Sequence, residues 1–246
     1  MKKLADLTYE EVAALLAQAK AVVIVPVGSV EPHGPHLPLA TDTTISETCA
    51  TRAAERLERE GVTAVVAPTV PYGVTDYASG FAGAIGVSAA SLTAILHDIA
   101  QKLLATGFSH VSFVNNHLEP AQDAAVRAAI EGLPKGTASV ACPLTRRWGR
   151  TLSDEFKRGD CHAGRYETSL VLAANANVRD SAATLPSLGL SLSDGIRAGK
   201  TTFAEIGMTR AYTGAPSEAT REEGDELYEK LVTMVVTEIR EALAGQ

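Results

Sequence analysis

The run 21-AVVIVPVG-28 contains no residue that prefers to face water. A strand with one wet face alternates apolar and polar residues. An unbroken β-branched run reads instead as a strand covered on both sides, as in a parallel sheet between helices. The surrounding pattern agrees. Thr8 and Glu11 form a capping-box pair ahead of a helix over 8–19, and 43-TTISETCATRAAERLEREG-61 is a helix closed by glycine. The alternation then repeats, with a strand and loop over 62–73, a helix over 89–107, a strand over 108–116, a helix over 120–133 and a strand over 137–144. A helix over 166–175 follows, and a long one over 217–244 in which Gly224 threatens the first turns. Strands alternating with helices predict a layered α/β/α fold with a mostly parallel central sheet. No linker, repeat or low-complexity tract divides 1–246, so one domain is expected. Residues 176–216 carry the least pattern and suit a hairpin or a loop covering a site.

Bulk properties exclude several functions. Hydrophobic residues are 46% of 246, enough for a sizeable core, and the formal charge is −7. That balance and the lack of a Lys/Arg cluster argue against nucleic acid as a partner. Three widely spaced cysteines, Cys49, Cys142 and Cys161, make neither a disulfide framework nor a thiolate zinc site. No apolar stretch approaches the ~20 residues of a membrane span, and acidic residues interrupt the N-terminal run too soon for a signal peptide. A cytoplasmic protein with no membrane partner is expected.

The chemistry lies in 30-VEPHGPHLPLATD-42, where Glu31, His33, His36 and Asp42 are spaced by three prolines and a glycine. This loop follows the first buried strand. In open α/β sheets, ligands bind beyond the carboxyl ends of the strands. Two other segments share that placement: 115-NNHLEP-120, at the end of another strand, and 160-DCHAGRYETS-169, a loop running into a helix. Imidazoles and carboxylates without thiolate suit Zn²⁺, Mn²⁺ or Fe²⁺. Glu31-x-His33 and His117-x-Glu119 each place one carboxylate and one imidazole on the same side of an extended segment. With Asp42 they offer five ligands, too many for one open zinc and suited to two metals bridged by Asp42. His36 reads as a supporting residue. His97 and His110, in a helix and at a strand start, read as structural.

These motifs resemble the creatininase family of metal-dependent amidohydrolases. The family form of the first motif is close to P-x-G-S-x-E-Q-H-G-P-H-L-P-x-x-x-D, against 26-PVGSVEPHGPHLPLATD-42 here. The likeness continues in 162-HAGRYETS-169 and 213-TGAPSEATREEG-224, in the same order and over nearly the whole chain. The resemblance implies two divalent metals, Zn²⁺ or Mn²⁺ with Fe²⁺ as a further fit. Glu31, Asp42 and His117 would hold one, and His33, Asp42 and Glu119 the other. His162 would be the acid/base residue, with Glu119 as a second proton relay. Glu167 would be a supporting carboxylate or an alternative ligand. A hydroxide between metals about 3.5–4 Å apart would attack a C–N amide bond, of a cyclic amide or formamide, in a small molecule. Hydrolysis of a C–C or ester-like bond of a small keto compound is the alternative chemistry. A homologue that binds metal or ligand without turnover is the alternative class. Family members form rings, often hexamers, so a homo-oligomer is implied.

The chain departs from the family around the substrate. Many relatives carry an acidic-His pair and then Phe-Pro-Gly-Thr in the loop after the second strand. Here, in 73-GVTDYASGFAGAIG-86, Tyr77 and Ala78 replace the pair, and Ala82 and Ala84 the Pro and Thr. Tyr77, Ser79 and Leu118 are therefore expected to line an altered pocket. Creatininase closes its site with tryptophans, and this chain has one, Trp148, in 146-RRWGR-150. Trp148 is expected as a partial lid, with Arg146, Arg147 or Arg165 available to a substrate anion.

Overall fold

The computed structural model describes residues 2–18 and 20–245. Its centre is a five-stranded, wholly parallel sheet of β1 (Lys2–Lys3), β2 (Val22–Val27), β3 (Ala64–Val66), β4 (His110–Asn115) and β5 (Ala138–Ala141), in spatial order β1-β3-β2-β4-β5. Every residue of β2 is buried. Val22 and Ile24 face one apolar layer, while Val23, Val25 and Val27 face the other. The unbroken β-branched run is thus the consequence of two covered faces. Each buried Val or Ile contributes roughly 1.5–3 kcal/mol.

Three helices cover the first face: α2 (Thr41–Arg59), α7 (Arg165–Ala173) and α10 (Arg221–Ala244). The second face is covered by α1 (Tyr9–Gln18), α3 (Ala89–Ala105) and α4 (Pro120–Ala128). Ser88 and Thr220 cap α3 and α10 by accepting the Ser91 and Glu223 N–H groups, each at 3.1 Å. Gly224 does not interrupt α10. A Cβ there would lie 1.9 Å from the Ser169 carbonyl oxygen, so glycine is what lets α10 press against α7. Among the described residues, no helix is long and apolar enough to cross a membrane.

Three local expectations change. The edge strand β1 is two exposed lysines, Lys2 and Lys3, paired with Val65 and Val66, and it has no apolar pattern to announce it. Lysine suits an edge that must not recruit another chain. Residues 176–216 form no hairpin. They hold a 3₁₀ turn over 180–184 and two short helices, α8 (Leu192–Arg197) and α9 (Phe203–Ile206), and are tied down by paired Leu188 and Gly214 backbones. The Arg/Trp segment forms the short helix α5 (Arg146–Gly149), and α6 (Asp154–Arg158) follows it.

β2 and β4 are neighbours, yet the chain leaves β2 toward β3 on one side and returns to β4 on the other. The crevice beyond their carboxyl ends is the switch point of the sheet. The loops after β2 and β4 both open into it.

Candidate metal centre

The loop after β2 is held by backbone hydrogen bonds, one within the loop and one to a distant segment. The Glu31 N–H donates to the Leu39 carbonyl at 3.1 Å, and the Gly34 N–H to that of Ala211 at 2.6 Å. Gly34 has φ +63°, and a Cβ there would meet the His36 ring at 2.7 Å. With Pro32, Pro35 and Pro38 fixing their own φ angles, the loop has little freedom to lose when it orders. Asp42 falls on the first turn of α2, where the helix N-terminus favours a carboxylate.

These constraints bring Glu31, His33, Asp42, His117, His162 and Glu167 into one buried cluster. Three sets within it, Glu31–Asp42–His117, His33–Asp42–Glu167 and Glu31–His33–His162, each have donor atoms within 4.8 Å of one another. Asp42 lies between the two histidines of the floor. Its Oδ1 is 3.3 Å from His33 Nε2, and its Oδ2 is 3.1 Å from His117 Nδ1. Glu31 Oε1 is 3.3 Å from His117 Nδ1, and Glu167 Oε2 is 3.5 Å from His33 Nε2.

The three histidines share one arrangement. Each turns one nitrogen to a backbone carbonyl: His33 Nδ1 to Glu31 at 3.1 Å, His117 Nε2 to Val74 at 2.6 Å and His162 Nε2 to Pro32 at 3.1 Å. An N–H donating to a carbonyl leaves the other nitrogen as a lone pair, and in each ring that nitrogen faces carboxylates. Lone pairs facing carboxylate oxygens in a buried site repel unless a cation stands between them. Glu31 Oε2, His33 Nε2 and Asp42 Oδ1 are buried without a hydrogen-bond partner. The residues therefore fit divalent metals of the Zn²⁺ or Mn²⁺ type.

In the metal-free protein, protons take the place of such cations. Burial pushes the Glu31 carboxyl up to about 7 and that of Glu167 up to about 8. Burial opposes a charged His33, but Asp42, Glu167 and Glu31 outweigh it and raise the imidazole to about 10. His162 is held well below the usual imidazole range by burial and by the neighbouring charge of His33.

Other predicted residues are distributed unevenly. The structure brings Glu167, rather than Glu119, to His33 and Asp42. Glu119 is turned aside because its carboxylate accepts the backbone N–H groups of Asp76 at 3.1 Å and Tyr77 at 3.4 Å. It stays on the pocket wall, with Oε2 3.9 Å from His117 Nε2. Tyr77 and Leu118 line the pocket, and Ser79 is exposed and does not. Trp148 is no lid: it is buried against α10 and donates Nε1–H to Glu238 at 2.6 Å. Arg165 points away, with Nε 2.6 Å from Glu223, and Arg147 forks onto Glu241 at 2.7 Å. His36 supports α7 through Thr168 Oγ1 at 3.0 Å. His97 ties α3 to the Ala129 carbonyl, and His110 bonds the Gly136 carbonyl and Ser139.

Sequence reasoning missed Gln122 and Phe203. Gln122 accepts the Val74 N–H at 2.9 Å and so fixes the carbonyl that orients His117. Phe203 lies on His162, ring centroids 4.4 Å apart. Gln122 looked like an ordinary helix residue, and Phe203 sat in the unpatterned segment. Ala163, beside His162, adopts φ 49° and donates its N–H to Glu167 Oε2 at 2.7 Å. Left-handed backbone at a non-glycine is costly and clusters at functional sites.

Known proteins share this architecture. The creatininase (creatinine amidohydrolase) family model matches residues 5–239. A mycofactocin precursor peptide peptidase of Mycolicibacterium smegmatis is 31% identical over 225 residues, covering 86% of this chain and 81% of its own. A solved creatininase structure, the Mn form, superposes with a TM-score of 0.72 at 23% identity over 98% of both chains. A Zn–Zn form of a creatininase mutant does so with 0.73 at 22% identity over 99% of both. Those two likenesses show the fold, and the match over nearly all of the chain shows the family: this chain belongs to the creatininase family of amidohydrolases.

Proposed function

We propose that this protein is a dinuclear metal-dependent amidohydrolase that cleaves a C–N amide bond in a small molecule. The observation that carries the reading is the buried cluster of three carboxylates and three imidazoles, each imidazole presenting a lone pair to carboxylates. Glu31, Asp42 and His117 would hold one ion, and His33, Asp42 and Glu167 the other, with Asp42 shared. Bound there, two divalent ions lower the pKa of water and polarise a carbonyl.

The chain's own residues supply the remainder. His162 Nε2 is committed to the Pro32 carbonyl, so protons exchange at Nδ1, which faces Glu31 Oε1 at 3.9 Å. A neutral His162 accepts the proton of the attacking water there and returns it to the departing nitrogen. Phe203 and the buried loop keep bulk water from that proton. His162→Asn should lower turnover by roughly 10²–10⁴-fold with both metals retained. Unchanged turnover would remove His162 from this role. Metal analysis of protein purified without chelator, with assays on cyclic ureides, lactams and formamides, tests the whole reading. Absence of stoichiometric divalent metal would refute it. A homo-oligomer, hexameric by resemblance, is part of the proposal, and light scattering measures it.

A further inference from the structure

A pocket opens over the candidate metal cluster. Its walls come from two segments outside the sheet. Tyr77 stands on the loop after β3, and Leu192, Ile196 and Phe203 stand on the two short helices of 188–211. A small separate core locks these segments together. Ala78, Phe203, Ile206 and Met208 are buried in it, with Tyr77 and Phe81 packed against it. Phe203 is central, 6.3 Å from the rings of both Tyr77 and Phe81 and packed at a 37° tilt against the His162 ring. The roof is therefore packed and apolar, and it reaches down to the residue proposed to move protons.

Charge within the pocket runs one way. Glu31, Asp42, Glu119 and Glu167 line it, and no described lining residue is Lys or Arg. Arg165 and Arg147, which the sequence offers to a substrate anion, are engaged elsewhere, Arg165 with Glu223 and Glu218 and Arg147 with Glu241. Two dications against four carboxylates leave no positive excess to draw an anion. A substrate carboxylate or phosphate under this roof would be buried without a partner, which is strongly unfavourable.

We infer that the substrate carries an uncharged apolar or aromatic group next to its scissile carbonyl, received by Tyr77, Leu118, Leu192, Ile196 and Phe203. This rests on the metal-hydrolase reading and narrows it. The acid side of the pocket does not supply recognition of an anion, and the apolar roof supplies favourable burial for a ring or branched chain.

Two hydroxamates with the same metal-binding head test it: phenylacetohydroxamate, which is apolar, and succinate monohydroxamate, which is anionic. Each is titrated by calorimetry into full-length protein whose metal content has been measured. The expected result is tighter binding of phenylacetohydroxamate by at least about tenfold. Leu192→Arg, checked for folding by circular dichroism, should shrink or reverse that ratio. Phe203→Leu, which keeps an apolar wall, should preserve its direction. Equal or tighter binding of the succinate compound by metal-loaded protein overturns this inference alone, as does binding of neither. Failure to take up metal at all overturns the hydrolase reading and this inference with it.

Discussion

His117 Nε2 lies 2.6 Å from the carbonyl oxygen of Val74. That one bond decides which nitrogen of the ring faces the carboxylates. Val74 is in turn fixed by Gln122, whose Oε1 accepts its N–H at 2.9 Å and whose Nε2 reaches the Gly28 carbonyl at 3.3 Å. A glutamine on α4 thus ties the loops after β2 and β3 and, through them, aims a histidine after β4. Gln122→Leu keeps the volume and removes these bonds. It should weaken metal binding by about 10–100-fold, and orphaning the Val74 N–H should cost about 1–3 kcal/mol of stability. Titration with a metal indicator measures the first. An affinity equal to that of the parent would show that Gln122 does not orient His117.

Glu167, and not Glu119, lies against His33 and Asp42. Glu167 Oε2 is 3.5 Å from His33 Nε2, whereas both Glu119 oxygens accept backbone N–H groups of the turn carrying Tyr77. Glu167→Gln should therefore leave about one metal per chain in place of two. Glu119→Gln should retain both and disturb the Tyr77 wall, raising KM more than it lowers metal content. Mass-spectrometric metal analysis of the two variants decides the assignment. Loss of a metal from Glu119→Gln alone would restore the pairing that the sequence suggests.

Much of this was legible in the sequence because it rests on short-range chemistry. The β-branched run of β2 and the ligand-rich loop 30–42 declare a doubly covered strand and a site at its end. What was not legible depends on side-chain direction and distant partners. His117-x-Glu119 looks like a ligand pair because alternate residues project together, but the Asp76 and Tyr77 amides claim Glu119. Trp148 and Arg165 look available until α10 supplies Glu238 and Glu223. The roof was invisible because its helices span only six and four residues, too short to show a periodic pattern.

Gly224 offers a purely structural prediction. A β-carbon there would lie 1.9 Å from the Ser169 carbonyl oxygen and 2.7 Å from the Ala173 methyl. Alanine is the better helix former by about 1 kcal/mol, so propensity alone predicts stabilisation. The clash is with backbone, which does not yield, and forced separation of packed helices costs about 1–3 kcal/mol or more. Gly224→Ala should therefore lower Tm by several degrees. Since α7 carries Glu167, metal affinity should fall as well. A raised Tm in thermal melts would mean that α10 and α7 separate without cost.

Stability should fall with rising pH in the metal-free protein and should not do so in the metal-loaded protein. In the metal-free state Glu31 titrates at about 7, Glu167 at about 8 and His33 at about 10, each above its usual value. Between pH 6.5 and 10 the folded protein thus holds protons that the unfolded chain has released. Stability falls with rising pH wherever the native state binds more protons, so the metal-free protein should weaken steadily across this window. His162, His36 and His110 are depressed, His36 to about 4, so their opposite contribution fades as the unfolded imidazoles lose their protons just above pH 6.5 and is absent over most of the window. Metal displaces the protons of the cluster, which removes the slope and makes uptake tighter as pH rises. At a hundredfold excess over Kd, bound metal adds about 2.7 kcal/mol. Thermal melts in chelator and in saturating Zn²⁺ or Mn²⁺, taken from pH 6.5 to 9.5, should show a gap in Tm that widens with pH. A gap that stays constant or narrows would mean that protons and metal do not compete for Glu31, His33 and Glu167.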